Sequence, residues 1–584
     1  MCNNHDDLEL RRKHTASHIM TYAVKMMHPN VKLGVGPWTD DGFYQDFDFG
    51  EETVSDKDFK KIQKKMRWIV NKNFKIERKE FTEAEAREIW KNDKYKLELI
   101  DGIVERGEQI SAYDFVNEEG QTVYRDICAG PHLETTGDLG VFKLTKIAAA
   151  YWRGDSERET LTRIYGVAFE TEEKLAEYEE FLAEAAKRDH RKLGKELDLF
   201  TFSEKVGAGL PLFTPKGTFI RNKIEEVIMG IQSKYGFERV NIPHITKKDL
   251  YETSGHWAKF KDDLFHVHGK GDTQFVMKPM NCPHHTQIYA SQMRSYRDLP
   301  IRYAETTTCY RDEQPGELLG ISRVRSLTQD DGHIFCTPDQ VLEESRNLVK
   351  VVREFYTKMG MFGEGDFKVS LSVRDSAKLD KYLGKEENWD KAEKFLEEIA
   401  KSENLPYERI EGEAAFYGPK LDFQFKDSLG REWQLATIQI DFVQPERFGL
   451  EYIDNEGKKQ IPVMIHRAIA GSLERFMAVI IEHFAGVFPV WLAPIQVHIL
   501  PVNNSHLSRA EEVLAKIRGI SGRAEIIEPS ETLGKRLRNS QTGKIPFSII
   551  IGDGEVESGK ITVRKYGEKK DQEMSVEEFL GLLN

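Results

Sequence analysis

The sequence predicts an α+β protein of several domains, and three observations carry that expectation. The chain runs to 584 residues, too many for one hydrophobic core and enough for three or four domains of about 100–200 residues. Residues 196 to about 488 hold long strands, among them ERVNIPHIT, PIRYAETTTCYR, AFYGPKLDFQFKD, REWQLATIQIDFV and IPVMIHRAIAG. Their lengths and mostly non-helical connections predict a large antiparallel sheet flanked by helices. After Trp491-Leu492-Ala493-Pro494 the pattern becomes strand–helix alternation (IQVHILPVN, a helix from Ser505, AEIIEP, a helix near Arg536, PFSIIIG, a terminal helix), which reads as a compact α/β domain.

Taken in order, residues 1–170 mix short helices with strands such as GFYQDFDF and YRDICAG, punctuated by Gly34, Gly36, Pro37 and Gly42, and predict a first α+β domain. In 171–195 the apolar residues Leu175, Tyr178, Phe181, Leu182 and Ala185 recur at helical spacing among many charges, the pattern of an exposed linking helix. The large sheet domain then spans 196–490 and the terminal domain 491–584. No repeat of fixed period and no low-complexity tract interrupts this plan.

Composition narrows the function. Lys plus Arg number 84 against 97 Asp plus Glu, a net charge of -13, which argues against a uniformly basic nucleic-acid binder and leaves room for a local basic face. Cys2, Cys128, Cys282, Cys309 and Cys336 are too sparse, and odd in number, for a disulfide framework; reduced thiols in a cytoplasm are expected. The start lacks an apolar leader run, and the greasiest stretch, Met477 to Leu500, is broken by Glu482, His483, Pro489 and Pro494, so neither signal peptide nor membrane span is expected.

Three constellations can carry chemistry. His14 and His18 stand four apart in KHTASHIM, so a helix projects both imidazoles from one face. Cys128 and His132 repeat that spacing beside a Gly-Pro turn. The four together suit zinc, with solvated helix histidines as the alternative for the His14–His18 pair. Cys282, His333 and His466 each lie on or beside a strand and could converge on one sheet face, leaving an open fourth position on Zn²⁺. Structural histidines and a core cysteine are the alternative, and His284 and His285 compete for the role. The third set is cationic. Arg311 and Glu313 end a strand, a glycine-containing loop follows, and Arg323 and Arg325 open the return strand, a hairpin able to clamp phosphate. Arg475, near the start of the apolar helix GSLERFMAVIIEHFAG, gains anion attraction from the helix N-terminus. Ordinary surface ion pairs are the alternative there.

Together these segments resemble the threonyl-tRNA synthetase family, class II aminoacyl-tRNA synthetases, from near residue 10 to the end. YGFERVNIPHITKKDLYETSGHW is similar to motif 1 around Pro243, TTTCYRDEQPGELLGISRVRSLTQDDGHIF to motif 2, and IHRAIAGSLERF to motif 3. The resemblance implies a six- or seven-stranded antiparallel class II catalytic sheet, an N-terminal editing domain, a C-terminal anticodon-binding domain and a homodimer formed through motif 1. It implies threonine–tRNA ligation: L-threonine is activated with ATP and Mg²⁺, then esterified to tRNA(Thr). Arg311 would hold the α-phosphate, Arg475 the γ-phosphate and Arg323 the phosphate tail, with Glu313 and Gln434 on the nucleotide. One Zn²⁺ per subunit would sit on Cys282, His333 and His466, with Asp331, Tyr417 and Gln439 on the threonine. A site that binds the hydroxyl rejects valine, because its polar groups lose their partner. Serine lacks only one methyl, worth about 1–3 kcal/mol, so binding alone cannot exclude it. His14, His18, Cys128 and His132, with Asp126 and Lys96, resemble the site that hydrolyses mischarged seryl-tRNA, in that family without a required metal.

Two rivals share this fold: a tRNA-binding paralogue without adenylation, against which the intact Arg311, Glu313 and Arg475 weigh, and a deacylase without ligation. The resemblance begins without the small ubiquitin-like domain that usually precedes it. Leu327 stands where a phenylalanine often stacks on adenine, and Gln45 where a second tyrosine is expected after Tyr44. In the terminal domain, Lys516, Arg518, Arg523, Lys535, Arg536, Arg538 and Lys544 predict a basic face for tRNA, with a solvated helix face as the alternative.

Overall fold

A computed structural model describes residues 4–39, 42–155, 157–363 and 365–583, with the side chains of residues 4–7 left out; Cys2 lies outside the described residues. The chain divides into two compact units, Met1–Ala183 and Glu184–Asn584.

The first unit is built on helix α1 (Asn4–Met27), whose Ala16, Ile19, Met20, Ala23 and Val24 are fully buried. They face β1 (Gly42–Asp48) and α2 (Phe59–Lys72), with which they share one apolar core. A separate three-stranded sheet runs β2 (Lys75–Phe81), β3 (Ile110–Val116), β4 (Thr122–Ile127), with α3 (Lys94–Glu105) between β2 and β3 in sequence. Strands β5 (Val141–Tyr151) and β6 (Thr160–Phe169) complete the β1 sheet. Helix α4 (Glu172–Arg188) follows; it buries no side chain, as expected of a charged linking helix. The helical run breaks at Asp189, whose carboxylate caps α5 (His190–Glu196) by accepting from Arg191 N–H at 2.8 Å.

The second unit is organised by an eight-stranded sheet. In chain order its strands, interleaved with helices, are β7 (Glu238–Arg239), β8 (Ile301–Tyr310), β9 (Ser326–Cys336), β10 (Phe367–Val373), β11 (Tyr407–Glu411), β12 (Lys420–Lys426), β13 (Glu432–Asp441) and β14 (Val463–Ser472). The spatial order is β7-β8-β9-β14-β13-β12-β10-β11. Six central strands are antiparallel, and a parallel strand closes each edge, so the sheet exceeds the expected six or seven strands by its short edge, two-residue β7. Helices α6 (Pro215–Lys234), α8 (Val341–Lys358) and α10 (Leu473–His483) share its main apolar core. Helix α9 (Glu386–Ser402) joins them, and the short α7 (Cys282–Ala290) packs in a smaller cluster with Phe335 and Met464.

One irregularity matters for the site. Opposite Asp330 the pairing of β9 with β14 shifts, Gln329 facing Ser472 while Asp331 faces Ala468. Ile469, Ala470 and Gly471 bulge out of the ladder, and Gly471 takes φ +70, a conformation that suits glycine. The carboxylate of Asp330 replaces the lost ladder, accepting from the N–H groups of Ile469 (2.9 Å), Ala470 (3.2 Å) and Gly471 (2.8 Å).

The terminal part alternates strand and helix: β15 (Val497–Pro501), α11 (Leu507–Gly519), β16 (Ala524–Ile526), α12 (Leu533–Thr542), β17 (Phe547–Ile551), β18 (Ile561–Lys565), β19 (Gln572–Met574) and α13 (Val576–Gly581). Its sheet is mixed, with β15 parallel to β16 and β17. Here the expected basic segment needs correction. Arg536 is 1% exposed and donates to the carbonyls of Glu531 and Ile527, while Arg523 donates to those of Val490, Trp491 and Ala493, tying this domain to the preceding strap. Lys516 and Lys535 are paired with Glu577 and Glu531. Arg518 and Arg538 remain outward.

Candidate active site

Two sites emerge, one in each unit. In the second, the hairpin of β8 and β9 and the N-terminus of α10 enclose a cleft of about 370 Å³ lined by Arg311, Glu313, Arg323, Leu327, Gln434, Gln439 and Arg475, with the bulge residues Ala470 and Gly471. Small side chains at the bulge keep the floor open. Arg323 is held by Glu313 at 2.7 Å and Glu317 at 3.1 Å. Arg475 donates from Nε to the Ser322 carbonyl at 3.2 Å, and its backbone N–H is capped by the Ser472 hydroxyl at 3.3 Å. Burial, then repulsion from Arg311 and Arg323, pushes the Arg475 guanidinium below its ordinary pKa, with Glu313 opposing. Three cations sharing one cleft repel one another until a polyanion enters. Leu327 supplies an apolar wall here and packs with Cys309 and Val324.

Beside this cleft, register places a row of polar residues on one sheet face. His333 of β9 is opposite His466 of β14, and His466 opposite Gln439 of β13. His333 Nε2 lies 3.1 Å from His466 Nδ1, and the ligand atoms of Cys282, His333 and His466 all fall within 4.8 Å of one another. Asp441 accepts from His466 Nε2 at 2.9 Å, leaving the Nδ1 lone pair toward His333, the partner arrangement that orients metal-binding imidazoles. Burial, then the neighbouring charges, raises the Cys282 thiol well above its usual range and lowers His333 well below, so the thiol keeps its proton unless a cation takes that place. One thiol and two imidazoles with an open side fit zinc. Asp331 accepts from Asn281 Nδ2 at 3.0 Å and lies 3.7 Å from His333. Tyr417 stacks on His466 (centroids 5.0 Å, 29°) and donates to Gln439 Oε1 at 2.8 Å. Burial first, then the neighbouring Cys282 and carboxylates, keeps that phenol protonated.

Sequence reasoning missed Lys278 and left His284 and His285 as rivals for the ligand role. His285 Nδ1 lies 2.7 Å from His333 Nδ1, and the fully buried Lys278 donates to Thr307 at 2.8 Å. His284, the competing histidine, has neither ring nitrogen bonded. In MNCPHH the helix turns His285, and not His284, toward His333.

In the first unit, His14, His18 and Cys128 line a cavity of about 540 Å³ with Gln45, Lys96 and Asp126, and the ligand atoms of His14, His18, Cys128 and His132 lie within 4.8 Å of one another. Cys128 Sγ is 3.2 Å from His14 Nε2 and 3.3 Å from His132 Nε2. The opposite nitrogens are held, His14 Nδ1 donating to Pro131 O at 3.2 Å and His132 Nδ1 bonded to Thr15 Oγ1 at 3.2 Å. Lys96 and Asp126, 3% exposed each, form an ion pair at 2.7 Å. Burial pushes the Cys128 thiol up to about 12 and holds all three imidazoles below their ordinary value. The thiol is therefore no nucleophile at neutral pH, and the neutral imidazoles can accept a proton from water. Gln45 is buried and accepts from Thr21 at 3.2 Å, a packing role in the wall of this cavity.

The antiparallel sheet with its cationic hairpin defines a class II synthetase core. Residues 265–484 match the family described as the tRNA synthetase class II core domain (G, H, P, S and T), 496–584 the anticodon binding domain, and 110–165 the threonyl and alanyl tRNA synthetase second additional domain. The chain is 46% identical to the threonine–tRNA ligase of Gloeobacter violaceus, over 98% of this chain and 91% of that one. It is 45% identical to that of Synechocystis, over 97% and 94%. Among solved structures it resembles the RNA binding domain of threonyl-tRNA synthetase from Cryptosporidium parvum (TM-score 0.64, 34% identity, 68% of this chain and 97% of that one). Prolyl-tRNA synthetase from Giardia lamblia (TM-score 0.52, 17% identity, 67% and 75%) shares the fold. The chain belongs to the threonine–tRNA ligase family.

Proposed function

We propose that this chain activates L-threonine with ATP and Mg²⁺ and transfers it to tRNA(Thr). The observation that carries the reading is the continuity of the two halves of the site. Gln439 lines the cationic cleft, is bonded to Tyr417, and lies across the ladder from His466, so an amino acid held at the Asp331–His333–His466 row has its carboxylate beside an α-phosphate held by Arg311. In-line attack builds charge on the phosphoryl oxygens, and guanidinium groups already in place stabilise it without reorganising. Arg323 and Arg475 hold the departing pyrophosphate, while Glu313 and Gln434 bind the nucleotide. Cys282, His333 and His466 would hold one zinc ion, which when bound supplies a Lewis-acidic seat for the amino and hydroxyl groups. Asp331 accepts the hydroxyl proton in a hydrogen bond that valine cannot make.

In the first unit, His14, His18, Cys128 and His132, with Lys96 and Asp126, would hydrolyse seryl-tRNA(Thr): a neutral imidazole takes a proton from water as the water oxygen attacks the ester carbonyl, the bond from the seryl carbonyl to the ribose oxygen breaks, and the proton passes to that oxygen as serine leaves. Exposed Ile245, two residues after Pro243, fits an apolar contact with a second copy in a homodimer. A cytoplasmic location fits the free thiols of Cys128, Cys282, Cys309 and Cys336, and among the described residues no helix is long and apolar enough to cross a membrane. ATP–pyrophosphate exchange with threonine, valine and serine in parallel, alongside metal analysis, tests the reading. Threonine-dependent exchange with bound zinc and no valine activation is expected; no exchange at saturating threonine rejects it.

A further inference from the structure

The first buried side chain after the exposed linking helix α4 is His190, 4% exposed, and its contacts reach both phosphate-binding motifs. Its ring Nδ1 donates to Glu482 Oε1 at 2.6 Å, and its backbone N–H reaches the same oxygen at 3.0 Å. That fixes the tautomer, so Nε2 carries a lone pair. Ile321 N–H donates to it at 3.3 Å. The loop has no slack at this point: a Cβ on Gly320, at φ +50, would stand 2.1 Å from His190 Nε2. Ile321 directly precedes Ser322, whose carbonyl receives Arg475 Nε, and Arg323 follows. Glu482, in turn, is on α10 seven residues after Arg475, two turns along the same face, and its second oxygen is held by Arg431, itself locked to Asp427 at 2.7 Å.

We propose that His190 is a positioning residue for nucleotide binding. It ties the motif 2 loop, through Ile321, to the C-terminal end of the motif 3 helix, through Glu482, and so sets the distance at which Arg323 and Arg475 present their charges. It touches no substrate atom. The inference rests on the reading of Arg323 and Arg475 as ATP ligands. The two bonds of the ring are separable by substitution, because an asparagine amide overlays imidazole Nδ1 and a glutamine amide reaches toward Nε2. His190→Asn keeps a donor for Glu482 and loses the acceptor for Ile321; His190→Gln keeps the acceptor for the loop.

The test is threonine-dependent ATP–pyrophosphate exchange on the full chain, with KM measured separately for ATP and for threonine. His190→Asn is expected to raise KM for ATP about tenfold, the loss of one buried hydrogen bond, with KM for threonine unchanged. His190→Gln restores KM for ATP to within about twofold of the parent on the same principle. Gly320→Ala disturbs the same contact from the loop side and is expected to raise KM for ATP as His190→Asn does. If asparagine restores KM for ATP and glutamine does not, the residue acts through Glu482 as packing and the proposal fails. It also fails if KM for both substrates rises together, or if neither variant nor Gly320→Ala moves KM for ATP. Absence of exchange in the parent protein would overturn the ligase reading itself, an outcome distinct from exchange that is present and insensitive to position 190.

Discussion

Removing one hydroxyl, Tyr417→Phe, isolates a single bond in the amino-acid half of the site. The Tyr417 ring stacks on His466, and phenylalanine keeps that stack; the change is the 2.8 Å hydrogen bond to Gln439 Oε1. While that bond stands, the Gln439 amide has one orientation in the wall of the cleft. Without it the amide oxygen is left without its donor, and the group is free to turn. Leaving a partly buried acceptor unpaired costs about 1–2 kcal/mol, a factor of roughly 5–30. The expected result is a 5–30-fold rise in KM for threonine in the exchange assay, as that estimate gives, with KM for ATP and zinc content unchanged. An unchanged KM for threonine, or an equal rise in KM for ATP, would refute the assignment of Gln439 to the amino acid.

Cys282→Ser is expected to lose zinc and threonine activation together, because a hydroxyl is a far poorer zinc ligand than a thiolate; activation that survives in metal-free protein would count against the zinc reading. Arg475→Ala should raise KM for ATP at least tenfold, about the loss of a charge-assisted bond, and leave KM for threonine in place. In the first unit, His18→Ala combined with Cys128→Ala should leave threonine charging near normal while seryl-tRNA accumulates, read by acid-gel analysis of charged tRNA; equal loss of both would indicate global damage. Burial holds His256 at about 3 and His498 at about 4. The unfolded chain takes up protons on these imidazoles near 6.5 while the folded chain does not, so their contribution to stability is complete above 6.5 and is lost as pH falls from there toward 4. Thermal unfolding should therefore begin at lower temperature at pH 5 than at pH 7.5, with a smaller drop in His498→Asn; a flat profile would contradict the burial argument.

The domain order and the large sheet were legible because long strands and helical periodicity are local signals. The paired histidines of KHTASHIM fall on α1 as four-residue spacing demands, and Cys128 with His132 joins them because the Gly130–Pro131 turn follows β4 directly. Cys282, His333 and His466, separated by more than 50 residues in sequence, converge because strand register sets His333 opposite His466, and register is a property of pairing that no single segment displays. The partners behind the site were less legible. Asp441 holds His466 from the next strand, and nothing in its local sequence marks it; His285 reaches His333 one helix turn beyond Cys282, a choice over His284 that MNCPHH alone leaves open. The terminal segment presents fewer free cations than its composition suggests, for a similar reason. Arg523 and Arg536 have the composition of a surface and the position of a strut, since a guanidinium can satisfy several backbone carbonyls that loops leave unpaired.

The bulge opposite Asp330 acts as a splice between two reading frames of one strand. Upstream of it, β14 is in step with its neighbours and sets His466 opposite His333 and Gln439; downstream, the phase is offset, and Ser472 and Arg475 line the cationic cleft. A chain shortened by one residue within 469–471 would still align His466 with His333 but would rotate everything beyond by one step, turning the arginine helix away from its cleft. Under the proposed roles such a molecule would retain its grip on the monomer while losing its fuel, and Asp330, with fewer amides to gather, would become the buried charge that betrays the change.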